Sequence, residues 1–270
     1  MSMPILFSLR GAKDKNAQGK QEHVERIYRI QTDPKSQVFM TVKEQTSFDL
    51  DKKVWDSGVG MSSWLVTLAH DQLEADASSD LMSLKDALFS SEPRDILELG
   101  AGTGIVSMTL GTLRHANQPP KSGSIMTTDL PSAMPSLEHN ISANETLFQS
   151  QSSRPQALVL DWDNDQLPDE VSAIQGGFHA IIMADVTYNT SSFPALVRTL
   201  SNLVRLGTAP DGQSSRPPMI LLGYKERDPA ERSLWDMTRE VGIQFEKVGE
   251  RCGAGGDPVE IWIGTVSQTE

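Results

Sequence analysis

The sequence predicts an α/β protein. Its core is a mostly parallel seven-stranded sheet that closes in a C-terminal antiparallel hairpin, and a β-hairpin and helix precede it. From Ile96 onward, short apolar runs alternate with helical stretches, the pattern of β–α–β units joined by right-handed crossovers. The last two runs, Gln244–Val248 and Val259–Val266, have only Gly249–Asp257 between them, too little for a helix, so they pair antiparallel. One apolar strand, Ile96–Leu99, runs directly into Gly100-Ala101-Gly102-Thr103-Gly104 and a following helix. That is the tight turn of a ligand-binding β–α unit.

Taken in order, residues 1–22 read as a flexible arm, because Gly11–Gln21 is polar and has no apolar period. Residues 23–270 read as a single domain, with 23–92 forming the hairpin and helices and 93–270 the core sheet. Two alternating runs, Val24–Ile30 and Val38–Val42, flank the turn Asp33-Pro34-Lys35-Ser36, which predicts the hairpin. Apolar positions at Val59, Trp64, Leu65, Leu68 and Ala69 predict a helix from Asp56, and Leu81–Phe89 a second short one. The remaining strands are expected at Ser124–Thr128, Ala157–Leu160, Ala180–Ala184 and Met219–Gly223. Helices are expected at Ile105–Leu113, Met134–Ala143, Phe193–Leu206 and Ala230–Val241. The stretches 117–123, 149–155 and 208–218, rich in Ser, Pro, Gly and Gln, read as surface loops.

Composition excludes several classes of function. The chain of 270 residues has 36 acidic against 24 basic side chains, a net charge of −12. No direct nucleic-acid binding is expected, since phosphate neutralisation needs clustered Lys and Arg. The charge favours a basic partner, or serves only solubility. No apolar run approaches the ~18 residues of a membrane span, and Met1–Arg10 lacks the features of a secretory signal. The single cysteine, Cys252, leaves no internal disulfide or Cys-based zinc cluster. The expected location is the cytoplasm, with the nucleus as a second compartment. The histidines at 23, 70, 115, 139 and 179 show no metal-ligand spacing, and no metal is expected.

The glycine order is Gly-x-Gly-x-Gly, with Ile105 where a dinucleotide loop would need its third glycine. Glu98 lies two residues ahead of it, awkward for a pyrophosphate but suited to a ligand carrying an ammonium and a sulfonium. Asp129 ends the second strand, where a carboxylate accepts both ribose hydroxyls. Together these favour S-adenosyl-L-methionine over NAD. A fourth apolar strand carries Asp185 to the same sheet edge, with Tyr188 three residues on, so both should flank the ligand's reactive end. Plainer roles stay open: a tight turn for the glycines, a helix cap or turn acid for Asp129 and Asp185, core packing for Tyr188.

These segments, with Val54-Trp55-Asp56-Ser57-Gly58, Leu160-Asp161-Trp162 and Ala184-Asp185-Val186-Thr187-Tyr188, make the sequence similar to the class I, seven-β-strand S-adenosylmethionine-dependent methyltransferases. More narrowly, it resembles the family 16 protein lysine methyltransferases, among them the lysine methyltransferase of valosin-containing protein and fungal elongation-factor methyltransferases. The resemblance spans about residues 24–266 and implies a Rossmann-like sheet. It implies cofactor contacts from Trp55, the Gly100-Ala101-Gly102 backbone, Asp129, Trp162 and Ala184. Glu98 would reach the cofactor's amino acid moiety directly or through water, and Asp161 or Asp163 would accept from the adenine amine. Asp185, or its backbone carbonyl, would orient a lysine amine, and Tyr188 would shape the lysine channel. The implied partner is a protein presenting a lysine, in a basic segment, met by a monomer. Alternatives are methylation of histidine or a small molecule, and a non-catalytic protein of the same fold. The stretches 114–124 and 208–218 depart from the compact connections of the family and bear on the choice of target.

Overall fold

In the computed structural model, residues 8–15, 21–45, 53–71, 78–116, 123–148, 150–207, 217–253 and 256–267 are described. The chain opens with β1 (Ser8–Lys15), β2 (Gln21–Asp33) and β3 (Ser36–Gln45), which form an antiparallel three-stranded sheet in that order. The β2–β3 hairpin is the predicted one, extended at both ends. Its turn is closed by Asp33, whose Oδ1 accepts from the N–H groups of Lys35 at 2.7 Å and Ser36 at 2.9 Å. Strand β1 falls within residues 1–22, expected to form a flexible arm; residues 1–7 and 16–20 of that stretch lie outside the described residues. Its sequence, SLRGAKDK, carries no apolar alternation, and its pairing with β2 shifts register between Arg10 and Lys13. Edge pairing through main-chain hydrogen bonds leaves no hydrophobic period to detect.

Two helices follow, α1 (Asp56–Ala69) and α2 (Ser79–Phe89). The core then runs β4 (Ile96–Leu99), α3 (Ile105–Ala116), β5 (Ile125–Asp129), α4 (Met134–Ala143), β6 (Pro155–Val159), α5 (Asp169–Ser172), β7 (Ala180–Ala184), α6 (Phe193–Leu206), β8 (Met219–Tyr224), α7 (Ser233–Glu240), β9 (Ile243–Cys252) and β10 (Pro258–Val266). The seven core strands lie in the order β6-β5-β4-β7-β8-β10-β9. β4 to β8 are mutually parallel where they pair, and β10 runs antiparallel to both β8 and β9. The expected mostly parallel sheet with its terminal hairpin is therefore present.

Differences from the expected elements are local. β6 begins at Pro155, two residues early, because it pairs residue for residue with β5 from Ile125. The helix expected over Ala230–Val241 begins instead as a 3-10 turn, Pro229–Arg232, capped by the Asp228 side chain, and only then becomes α7. The short helix α5 lay in a stretch too brief and polar to show a period. The surface loops expected at 117–123 and 208–218 fall mostly outside the described residues.

Alternate strand residues separate two hydrophobic layers. Ile96, Ile125, Ala180, Ile182, Met219 and Leu221 pack under α1, α2 and α3, while Leu97, Leu99, Ile181, Met183, Ile220 and Leu222 pack under α6 and α7. Both faces of the parallel sheet are thus covered, which is why these strands read as continuous apolar runs. α6 shows the corresponding stripe, burying Phe193, Leu196, Val197, Leu200 and Leu203.

Candidate active site

The sheet order reverses at β4, with β5 and β6 on one side and β7 and β8 on the other. Open α/β sheets bind ligands outside the strand carboxyl ends at such a switch point. A cleft lies there, with about 850 Å³ of empty space when its open mouth is included. Trp55, Gly100, Gly102, Asp129, Trp162, Ala184, Asp185 and Tyr188 all line it, as do Asp161 and Asp163. Residues from five separate stretches of sequence therefore meet at one edge of the sheet. Glu98 and Ala101 stand behind the cleft surface.

The glycine loop connects β4 to α3. Gly100 adopts φ +66°, and a Cβ there would fall 2.9 Å from Val186 and 3.3 Å from the Trp162 ring. Only glycine fits both the conformation and the approach of these walls. At Gly104, φ is +80° and a Cβ would meet Leu137 of α4 at 2.5 Å. Three of the loop's N–H groups bond within the protein. Ala101 donates to the Thr128 carbonyl at 3.0 Å and Gly104 to the Ala101 carbonyl at 2.8 Å. Gly102 donates to Asp129 Oδ2 at 2.6 Å. A phosphate cradle needs such donors aimed at the ligand, so this loop is not built for a pyrophosphate.

Asp129 also accepts from the Leu130 N–H through Oδ1, at 2.7 Å. A carboxylate oxygen can accept more than one hydrogen bond, so a group fixed by the loop in this way suits a diol as well. The apolar wall beside it is Leu130, Leu160, Trp162 and Val186. An adenosine with a cationic tail fits this donor set: aromatic and aliphatic walls for the base, a carboxylate for the ribose, and a loop with its N–H groups occupied.

Glu98, expected to reach the ligand's amino acid moiety directly or through water, is 1% exposed and bonds within the protein. Its Oε2 accepts from the Ser107 N–H at 3.1 Å and from the Ser107 hydroxyl. Gly104 accepts the first α3 bond, from the Met108 N–H, and has no side chain with which to cap the helix. Glu98 supplies that cap from the preceding strand. Burial pushes its carboxyl up to about 8 against the opposing Ser107 bonds, with the charge of Asp129 adding to the rise. Ala101 contributes through the loop's internal bonding.

Asp185 follows β7 with φ +65°, in the left-handed region that few non-glycine residues enter. Two partners hold it there. Its N–H donates to the Gly223 carbonyl at 3.1 Å, and its carboxylate receives both terminal nitrogens of Arg227, at 2.7 Å and 2.8 Å. This bidentate pair ties the carboxylate to Arg227. Arg227 also lies over the Trp55 ring, 5.5 Å from its centroid. Partial burial opposes the Arg227 charge, but the bonds to Asp185 and that carboxylate's charge outweigh it, and the guanidinium's pKa is raised. Tyr188, 55% exposed, stands at the mouth and is not a core residue.

Sequence reasoning missed Arg227. It follows β8 in Tyr224-Lys225-Glu226-Arg227, so it leaves the sheet at the same carboxyl edge as Asp129 and Asp185. That position was the available signal.

A doubly wound sheet of this strand order, with a glycine loop after its first strand and a carboxylate at the end of the adjacent strand lining one cleft, has the architecture of a class I S-adenosylmethionine-dependent methyltransferase. The chain belongs to the lysine methyltransferase family, whose pattern matches residues 34–240. It is 26% identical over 187 residues to protein-lysine N-methyltransferase EFM6 of Saccharomyces cerevisiae, covering 67% of this chain and 70% of that protein. It is 32% identical over 112 residues to EEF1A lysine methyltransferase 3 of Xenopus tropicalis, covering 41% of this chain and 42% of the relative. It is 31% identical over 154 residues to protein N-lysine methyltransferase METTL21A of Danio rerio, covering 55% and 58%. S-adenosyl-L-methionine is the methyl donor of this chemistry, and a protein lysine is the acceptor.

Proposed function

We propose that the cleft holds S-adenosyl-L-methionine with its adenosine between Asp129 and Trp162 and its methionine end toward Trp55, and presents a protein lysine past Tyr188 to Asp185. When bound, the cofactor supplies an electrophilic methyl group on a sulfonium. The protein's own task is to deliver a neutral amine in line with it. A free lysine amine has a pKa of ~10.4, so a proton must leave before transfer. The Asp185 backbone carbonyl accepts one amine N–H and directs the lone pair, while the carboxylate stays with Arg227. The Arg227 charge beside the site disfavours a second cation there and so favours the neutral amine. Orientation of this kind supplies much of the rate without a strong base.

One observation carries the reading: Asp185, strained and doubly anchored, faces the same cleft as the glycine loop and Asp129. The net charge of −12 supports a basic substrate segment. EEF1A, which gives the Xenopus relative its name, is the first acceptor to test. Purified chain, methyl-labelled S-adenosyl-L-methionine and EEF1A should give label on a lysine, strongly reduced in Asp185→Ala, which keeps the carbonyl but loses the Arg227 bonds that hold it in place. Label on histidine would overturn the lysine chemistry, and no label would remove EEF1A as the acceptor.

A further inference from the structure

Resting on the cofactor reading above, we propose that the N-terminal sheet is a working part of the cofactor cleft, with Asn140 and Glu44 as the positioning residues that couple the two. Lys43 and Glu44 are neighbours on β3, and their bonds lead to two separate parts of the cleft lining.

One wall is the glycine loop. Asn140 of α4 is fully buried. Its Oδ1 accepts from the Lys43 N–H at 2.8 Å, and its Nδ2 donates to the Lys43 carbonyl at 3.1 Å and to the Thr103 carbonyl at 3.0 Å. Thr103 sits between Gly102, which lines the cleft, and Gly104, and is itself 2% exposed. One side chain therefore ties the strand to the loop whose conformation shapes the ligand site.

The other wall is Trp55. Glu44, 6% exposed, accepts from the Val54 N–H at 2.9 Å through Oε2, and its other oxygen pairs with Arg26 of β2. Val54 immediately precedes Trp55 at the start of α1. The strand thus sets the entry of the chain into this wall as well.

The molecule contains its own control. Asn144, one helical turn beyond Asn140, makes the same double bond to β3. It accepts from the Thr41 N–H at 2.9 Å and donates to the Thr41 carbonyl at 2.7 Å. Two strand residues rise about 6.7 Å and four helical residues about 6 Å, so α4 offers two side-chain amides to the strand edge in register. Asn144's further bonds go to Met108 and Asn140, and none is recorded to the loop. Both asparagines anchor the sheet; Asn140 alone of the two is shown reaching Thr103.

Losing the Asn140 amide leaves a buried Thr103 carbonyl without that donor, at the point of the glycine loop between Gly102 and Gly104. Cofactor affinity should fall although Asn140 does not line the cleft. The test is calorimetric titration of the full chain with S-adenosyl-L-methionine, alongside the Tm of each variant. Asn140→Leu should weaken binding about tenfold or more, and Asn144→Leu should stay within about twofold of wild type despite a comparable fall in Tm. Should Asn140→Leu fail to fold, Asn140→Asp keeps the acceptor for Lys43 and loses both donors, and should show the same loss. Glu44→Gln should weaken binding by about threefold or more. Wild-type affinity in the folded Asn140 variant, or equal losses in the Asn140 and Asn144 variants, would overturn the coupling. No binding by wild type would instead overturn the cofactor reading, and the coupling with it.

Discussion

The two sides of the cleft are built differently. On the side of β4 and β5, the glycine loop and Asp129 are fixed by bonds within one β–α–β unit: Gly102 to Asp129, Ala101 to Thr128, Ser107 to Glu98. On the side of β7 and β8, Asp185 is held by Arg227, 42 residues away, and Arg227 in turn lies over Trp55 from the start of α1. The first side is a fixed cradle made by neighbouring strands. The second is a charged joint assembled from three distant segments, with a strained residue at its centre. A cofactor common to many enzymes suits the cradle, whereas orienting a particular acceptor calls for a surface that separate loops can shape.

This contrast can be broken first on the cradle. Gly100→Val forces a β-branched side chain into φ +66° and against Val186 and Trp162. S-adenosyl-L-methionine affinity should fall by about 100-fold or more, read by calorimetry. Near-normal binding would show that the loop has another conformation available. On the joint, Asp185→Ala should cut methyl transfer by about 100-fold while cofactor affinity changes by less than about threefold. Arg227→Ala should slow transfer about tenfold, a smaller effect because the Asp185 carboxylate itself remains at the cleft. Parallel losses of binding and turnover in these two variants would erase the division between the sides.

The smallest functional effect is expected at Glu98, and its signature is pH dependence. The native carboxyl lies at about 8 against an ordinary 4.5. Between these values the folded protein keeps a proton that the unfolded chain has released, so this group's contribution to stability declines as pH rises. Glu98→Gln removes the ionisation and retains an acceptor for Ser107. Its Tm relative to wild type should therefore increase from about pH 5 to about pH 8, by about 3 °C or more. A constant difference across that range would mean that Glu98 is not perturbed.

The same contrast explains what could be read from the sequence. The cradle is contiguous: Glu98, Gly100, Gly102 and Gly104 fall within a few residues, and Asp129 ends the next strand, so strand–loop–helix periodicity located it. Asp185 was legible for the same reason, at the end of an apolar run. Its bond to Arg227 was not, because no local period links residues on two different strands. The bond from Ser107 to Glu98 was not legible, because spacing fixed the strand of Glu98 but not the capping need created by Gly104. Strand β1 escaped notice because a polar edge strand is held by main-chain bonds. Asn140 and Asn144 looked like ordinary polar positions on a helix, and only the docking of β3 makes them amide pairs.

The central claim is that this cleft binds S-adenosyl-L-methionine through Asp129 and the glycine loop. The most direct test is titration calorimetry of the wild-type chain with S-adenosyl-L-methionine and, separately, NAD, repeated with Asp129→Ala. Micromolar binding of S-adenosyl-L-methionine, no heat with NAD, and loss of binding in the variant is the expected result. Binding of NAD, or unchanged S-adenosyl-L-methionine affinity in Asp129→Ala, would contradict it.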